Sequence, residues 1–146
     1  MDDKVREFLD KNHAAAMVSL RRDGTPHMAR VAVGLVDGVL LSSGTRSRLR
    51  TGFLHRDPRC SVFVFDSQTA GSPRWLGLET RVTILDDDGV PDLSLKLFRM
   101  MQGQPENSDT ITWYGQPRTL DEFRRLMIED QRILYRFDID RHYGMY

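Results

Sequence analysis

Two apolar runs meet at Asp37-Gly38, and no other feature constrains the fold of this chain so tightly. An Asp-Gly pair supplies the two positive-φ positions of a two-residue hairpin turn, which few residue pairs can do. His27 to Val36 therefore enters the turn as one strand, and Val39 to Ser43 leaves it as the next. Upstream, Ala14 to Leu20 reads as a strand joined to this hairpin through the turn Asp23-Gly24-Thr25-Pro26. Cys60 to Phe65 is β-branched and aromatic throughout, as expected for a strand covered on both faces. Arg74 to Leu85 alternates, with Leu76, Leu78, Thr80, Val82 and Ile84 on one side. Ile133, Tyr135, Phe137 and Ile139 alternate in a closing strand.

Short helices flank these strands. Asp2 or Asp3 caps a helix that carries Val5, Phe8 and Leu9 on one face and ends near Lys11-Asn12. Leu93, Leu97, Phe98 and Met101 recur at helical spacing, and Thr119-Leu120-Asp121-Glu122 fits a capping box ahead of Phe123, Leu126 and Met127. Asp66 to Pro73 and Gln102 to Pro117 read as loops, and Asp86-Asp87-Asp88-Gly89 as a turn. The expectation is one domain over residues 1–146, mainly β within the α+β class. It has six antiparallel strands in a barrel whose edges close on themselves or on a partner.

Composition removes several function classes. Twenty-one basic and 21 acidic residues give a net charge of +0, so the chain as a whole is no nucleic-acid binder. Cys60 is the only cysteine, which excludes an internal disulfide and a cysteine metal site; its place in an apolar strand predicts a buried, inert thiol. No apolar run approaches the roughly 20 residues of a membrane span, and Met1-Asp2-Asp3-Lys4 does not open a signal peptide, so the expected compartment is a reducing cytoplasm. His13, His27, His55 and His142 show no metal-ligand spacing, and structural or surface roles are expected for them. Glu79 and Arg81 read as a salt-linked surface pair. Trp113-Tyr114 either lids a substrate pocket or packs on the barrel end. Hydrolase, P-loop and dinucleotide glycine motifs are absent.

One segment stands out from the balanced charge. Between Ser42 and Arg59 the chain carries Arg46, Arg48, Arg50, Arg56 and Arg59 around a tight strand-to-helix corner, with Thr45 or Ser47 as the candidate N-cap. Backbone N–H groups at a helix start and arginine forks together suit a phosphate or carboxylate. The competing reading is a solvated basic helix end.

The order of these elements resembles the split β-barrel oxidoreductases related to pyridoxamine 5′-phosphate oxidase. The carriers of the resemblance are Pro26-His27, Asp37-Gly38, the basic helix closing in His55-Arg56-Asp57-Pro58-Arg59, and Arg132-Ile133-Leu134 on the last strand. With Arg74-Trp75-Leu76-Gly77-Leu78-Glu79, the chain looks like the short branch that uses the deazaflavin coenzyme F420. The resemblance implies an FMN-binding-type split barrel and a homodimer with cofactor sites at its interface. It implies hydride transfer from reduced deazaflavin to a conjugated small-molecule acceptor. The alternatives are an FMN protein like pyridoxamine-phosphate oxidase, or a non-catalytic carrier of flavin, deazaflavin or haem. By motif position it places Ala29, Arg30 and Val31 and then Ser42 and Ser43 beside the ring system. Arg46, Arg48, Leu49, Arg50 and Thr51 fall at the phosphate and acidic tail, and Trp75 comes across from the partner. The family pattern usually has lysine where Arg50 stands and often asparagine where Phe53 stands; arginine keeps the charge and adds a fork. The resemblance assigns no catalytic side chain, so the proton donor is solvent or a nearby Arg30 or His27.

Overall fold

The computed structural model describes residues 1–146. In chain order the elements are α1 (Asp3–Lys11), β1 (Ala14–Leu20), β2 (Pro26–Ala32), β3 (Gly34–Val36), β4 (Val39–Thr45), α2 (Leu49–Arg56), β5 (Arg59–Phe65) and β6 (Trp75–Leu85). They continue with α3 (Val90–Met101), β7 (Thr110–Trp113), β8 (Gln116–Thr119), α4 (Leu120–Glu129) and β9 (Arg132–Met145). Seven strands form one antiparallel sheet in the order β2-β1-β5-β6-β9-β4-β3. The chain is mainly β, a curled half-barrel with four short helices, as expected.

All six expected strands are present, but the second is broken in two. β2 pairs with β1 at one edge of the sheet, and β3 pairs with β4 at the other. Only Val33 separates them, so the two edges must meet. Val33 is buried; its N–H donates to the His13 carbonyl at 2.9 Å, and its own carbonyl contacts His13 Nδ1 at 3.0 Å. Ser42 Oγ on β4 donates to the Ala32 carbonyl on β2 at 2.7 Å and clasps the same seam. Periodicity reads one long strand here because apolar alternation runs unbroken across the kink.

The turn chemistry acts as expected. Asp37 and Gly38 both have positive φ, 51° and 78°. Asp2, rather than Asp3, caps α1 by accepting from the N–H groups of Lys4 and Val5. Helix α1 then lays Val5, Phe8 and Leu9 into the barrel core beside Met17, Val62, Leu76 and Tyr135. Each such fully buried large side chain contributes about 1.5–3 kcal/mol.

Three expectations need correction. Gln102–Pro117 is not all loop: β7 and β8 form a second sheet, joined by a two-residue turn at Tyr114 (φ 48°) and Gly115 (φ 74°). Tyr-Gly stands where Asn-Gly or Asp-Gly would have signalled the turn, and Gly, Pro and Asn around it hide the short β run. Neither Thr45 nor Ser47 caps α2. Pairing with Arg132 holds Thr45 in β4, and the cap position falls to Arg48, which makes no side-chain capping bond. Glu79 and Arg81 do not pair with each other. They reach across to Arg141 and Asp140 on β9 at 3.5 and 3.8 Å, because adjacent strands bring charges together on one face.

α3 covers the outer face of β3, β4 and β9 with Val90 and Leu97 against Leu41 and Leu134. A Cβ at Gly34 would meet Leu97, Met100 and Met101 at 3.0–3.1 Å, so glycine allows that approach. Leu95, Ile111, Phe123 and Met127 form a separate small core that welds the hairpin to α3 and α4.

Gly44 and Gly52 allow a direct test of packing. A Cβ at Gly44 would lie 2.5 Å from Tyr135 Oη, whereas at Gly52 in α2 it meets nothing within 4 Å. Gly44→Ala should cost about 1–3 kcal/mol, and Gly52→Ala should add about 0.5–1 kcal/mol, both read by denaturant unfolding. Burial pushes the Cys60 thiol up to about 12. A thiol-specific reagent at pH 8 should leave the native protein unmodified and react only on unfolding.

Candidate functional site

The five corner arginines have different fates. Arg56 donates to the Leu20 carbonyl. Arg59 forks onto Asp57 with bonds of 2.8–3.3 Å, and this lowers the Asp57 carboxyl to about 2. Arg46 donates through one nitrogen to the Asp86 carbonyl at 3.2 Å. Arg50 is half-buried with its guanidinium 5.6 Å from the Tyr135 ring centre, and its Nε has no partner. Arg48, exposed at the uncapped start of α2, points into a hollow of about 460 Å³ with Thr45, Ser47, Leu49, Asp130 and Arg132.

Tyr114 and Arg132 also line a second cavity of about 310 Å³, with Ala32, Ser43, Phe98, Met101, Gln102, Thr112 and Trp113. The two spaces form one groove with a cationic end and an aromatic end. It lies over the seam of the sheet, since Ala32 comes from β2 and Ser43 from β4. A third hollow, about 480 Å³ beside α1, is lined by Asp2, Asp138 and Asp140, which disfavour an anion, and its His142 is held by Tyr146.

The expected site residues divide into three groups. Ser43, Arg48 and Leu49 meet at the groove. Val31, Ser42 and Thr51 are buried: Val31 in the core, Ser42 on the seam, and Thr51 with its hydroxyl between the Thr45 carbonyl at 2.7 Å and Tyr135 Oη at 2.6 Å. Ala29 is half-buried on the inward side of β2, and Arg46 and Arg50 stand beside the corner without lining the groove. Arg30 and Trp75 occupy the outer sheet face. Arg30 sits in one register row with Ala16, Phe63, Gly77 and Tyr143, and Trp75 stacks on Phe63 at 5.3 Å and 24°. Arg30 lies one pleat repeat, roughly 7 Å, from Ala32 at the groove.

Sequence reading missed Arg132 and Gln102. Both amide atoms of Gln102 clamp β7, donating to the Thr112 carbonyl at 2.8 Å and accepting from its N–H at 3.2 Å. Trp113 takes the packing role and Tyr114 borders a cavity. Trp113 packs on Phe98 and Phe123, and Tyr114, 78% exposed, walls the groove. No local pattern signals Arg132; only the strand pairing puts it beside Thr45.

The chain belongs to the pyridoxamine 5′-phosphate oxidase family, whose model matches residues 1–120. Solved structures share its fold. A conserved hypothetical protein from Mycobacterium tuberculosis has a TM-score of 0.77 at 15% identity, covering 99% of this chain and 84% of that one. An F420 reductase has a TM-score of 0.66 at 17% identity, with 94% of each chain covered. The haem storage protein HutZ from Vibrio cholerae has a TM-score of 0.66 at 12% identity, covering 98% and 93%. At these identities the likeness is one of fold. No helix of the chain is long and apolar enough to cross a membrane.

The groove fits a phosphate-bearing ring cofactor. Ser43 Oγ is buried without a partner at the aromatic end, and Arg48 stands exposed at the cationic end, in a hollow whose one carboxylate, Asp130, is bonded to Arg132. Arg48→Ala should weaken binding of such an anion about fivefold or more with little change in melting temperature. Arg50→Ala should lower the melting temperature instead, because its guanidinium packs on Tyr135. Parallel ligand titration and thermal melts separate the two.

Proposed function

We propose that the protein is an oxidoreductase that uses coenzyme F420 to reduce a conjugated small molecule, and that it works as a homodimer. The observation that carries this reading is the division of one groove into a cationic end at Arg48 and an aromatic end at Trp113 and Tyr114. The F420 reductase among the proteins of this fold supports the choice of deazaflavin. So does the open cationic end, where Arg48 stands exposed for a longer acidic tail.

When bound, the deazaflavin supplies a two-electron hydride transfer. The chain's own work is binding, orientation and exclusion of water. Arg48 and the free N–H groups at the start of α2 hold the anion. Ser43 offers a hydroxyl at the groove wall, and Tyr114 and Trp113 shut one side of it off from water. Solvent is the available proton source, since the exposed guanidinium of Arg30 on β2 keeps its own proton.

The dimer reading rests on the outer sheet face. Met28 is 72% exposed, Met145 55%, Tyr143 45% and Phe63 41%, and Trp75 joins them. Phe63, Trp75 and Tyr143 touch one another, and such an exposed aromatic cluster marks an interaction surface. It runs along β2 to the groove through Arg30, so a partner seated there would complete the groove's open side. A twofold pair should bury more than about 1,000 Å² in total.

Two measurements test the reading. Titration of the purified protein should give F420 at least about tenfold tighter binding than FMN, roughly 1.4 kcal/mol. Tighter FMN binding would move the chain to the flavin branch, and tight F420 binding without turnover of any quinone or nitroaromatic would make it a carrier. Light scattering should give the mass of two chains; a monomer at micromolar concentration would remove the shared site.

A further inference from the structure

The cavity beside Ser43 is lined by one cation and no carboxylate, and that cation is itself paired to Asp130 outside the lining. The cation is Arg132, and its side chain is only 9% exposed. Its Nε donates to Asp130 Oδ2 at 2.7 Å, one terminal nitrogen reaches the Tyr114 hydroxyl at 3.4 Å, and its guanidinium lies 4.8 Å over the Trp113 ring. Arginine carries five N–H donors, so these contacts fix the plane of the fork and leave its other terminal nitrogen uncommitted. Gln102 is tied to Thr112 through its amide oxygen and one amide N–H, and the N–H it has left is uncharged. Aromatic walls stand beside the fork. Trp113 lies edge-on to Phe98 at 5.4 Å and to Tyr114 at 4.8 Å. At about 310 Å³ the space suits one small ring system with its substituents.

We propose that the wall of this cavity formed by Arg132, Trp113 and Tyr114 is the acceptor subsite, beside the space at Ser43 that the cofactor ring would take, and that it selects a planar conjugated acid. The ring lies against Trp113 and Tyr114, and the carboxylate sits on the free edge of the Arg132 guanidinium. A desolvated, pre-oriented fork discriminates strongly between a carboxylate and a neutral amide of the same shape. That the bound acid is the hydride acceptor rests on the function proposed above; that the cavity prefers an acid does not.

The test uses 4-nitrobenzoate and 4-nitrobenzamide, near-isosteres that differ in charge, titrated calorimetrically into the full chain without cofactor. The wild type should bind the acid at least about tenfold tighter than the amide, with the gap narrowing as salt rises. Arg132→Gln combined with Asp130→Asn, which leaves no unpaired carboxylate, should bring the gap within about twofold; Arg132→Lys should keep part of it. Tyr114→Ala should weaken both probes, since it removes wall, and the acid somewhat more, since the Tyr114 hydroxyl also holds the fork. Equal binding, binding of neither probe at millimolar concentration, or a gap that survives in the double variant would overturn the proposal. The wild-type comparison decides the matter even if that variant does not fold. Because F420 and FMN affinities are measured separately, loss of the cofactor reading and loss of this one are distinct results.

Discussion

The paired contacts between His13 and Val33 are the constraint on which the rest of the structure depends. Two consecutive strands, β2 and β3, lie at opposite edges of a seven-stranded sheet, and one residue joins them. A flat sheet cannot satisfy that connection, so the sheet must curl until its edges meet. Val33 meets the sheet's first strand through the backbone just before it, and Ser42 ties β4 to Ala32. The closed interior then receives α1 as a plug. The seam leaves Ala32 and Ser43 adjacent on the outer surface, and that adjacency founds the groove.

Electrostatics in the groove is a matter of which cations stay free. A row of arginines looks like one patch, yet geometry disperses it. Asp57 neutralises Arg59, the Leu20 carbonyl holds Arg56, and Tyr135 lies under Arg50. The exposed Arg59–Asp57 pair adds little stability, but all three contacts remove cations from the ligand's reach. Of the cations that line the groove, Arg48 has no carboxylate partner, and Arg132, from a strand more than eighty residues later, stands where the two spaces join and keeps one terminal nitrogen free beside its bond to Asp130. The second is positioned by Asp130 and Trp113, so its direction is set before any ligand arrives. Pre-orientation lowers the entropy that binding must overcome.

The hairpin of β7 and β8 makes the groove concave. It has its own small core with α3 and α4 and rests on the barrel through Gln102, Arg132 and the aromatic cluster. Without it, Ser43 would face open solvent. The outer face on the other side of the groove carries exposed aromatics on a floor of small residues. There the Tyr143 ring lies over Gly77, where a Cβ would come within 2.6 Å of it.

The amino-acid sequence by itself determined the elements whose signals are local. Asp37-Gly38 demands a tight turn, Thr119 and Glu122 make a capping box, and the alternation from Leu76 to Ile84 buries one face of β6. Motif order added the family, and motif position brought Ser43, Arg48 and Leu49 to the groove. Only the tertiary structure decided the break at Val33, the burial of Ser42 and Thr51, and the junction at Arg132. Each of these depends on a partner far away in the chain: His13 for Val33, Tyr135 for Thr51, and Thr45, with the hairpin tip, for Arg132. Periodicity records which face a residue turns inward. It carries nothing about which distant strand that face will meet, because the curl that brings the two edges together is a property of the whole sheet.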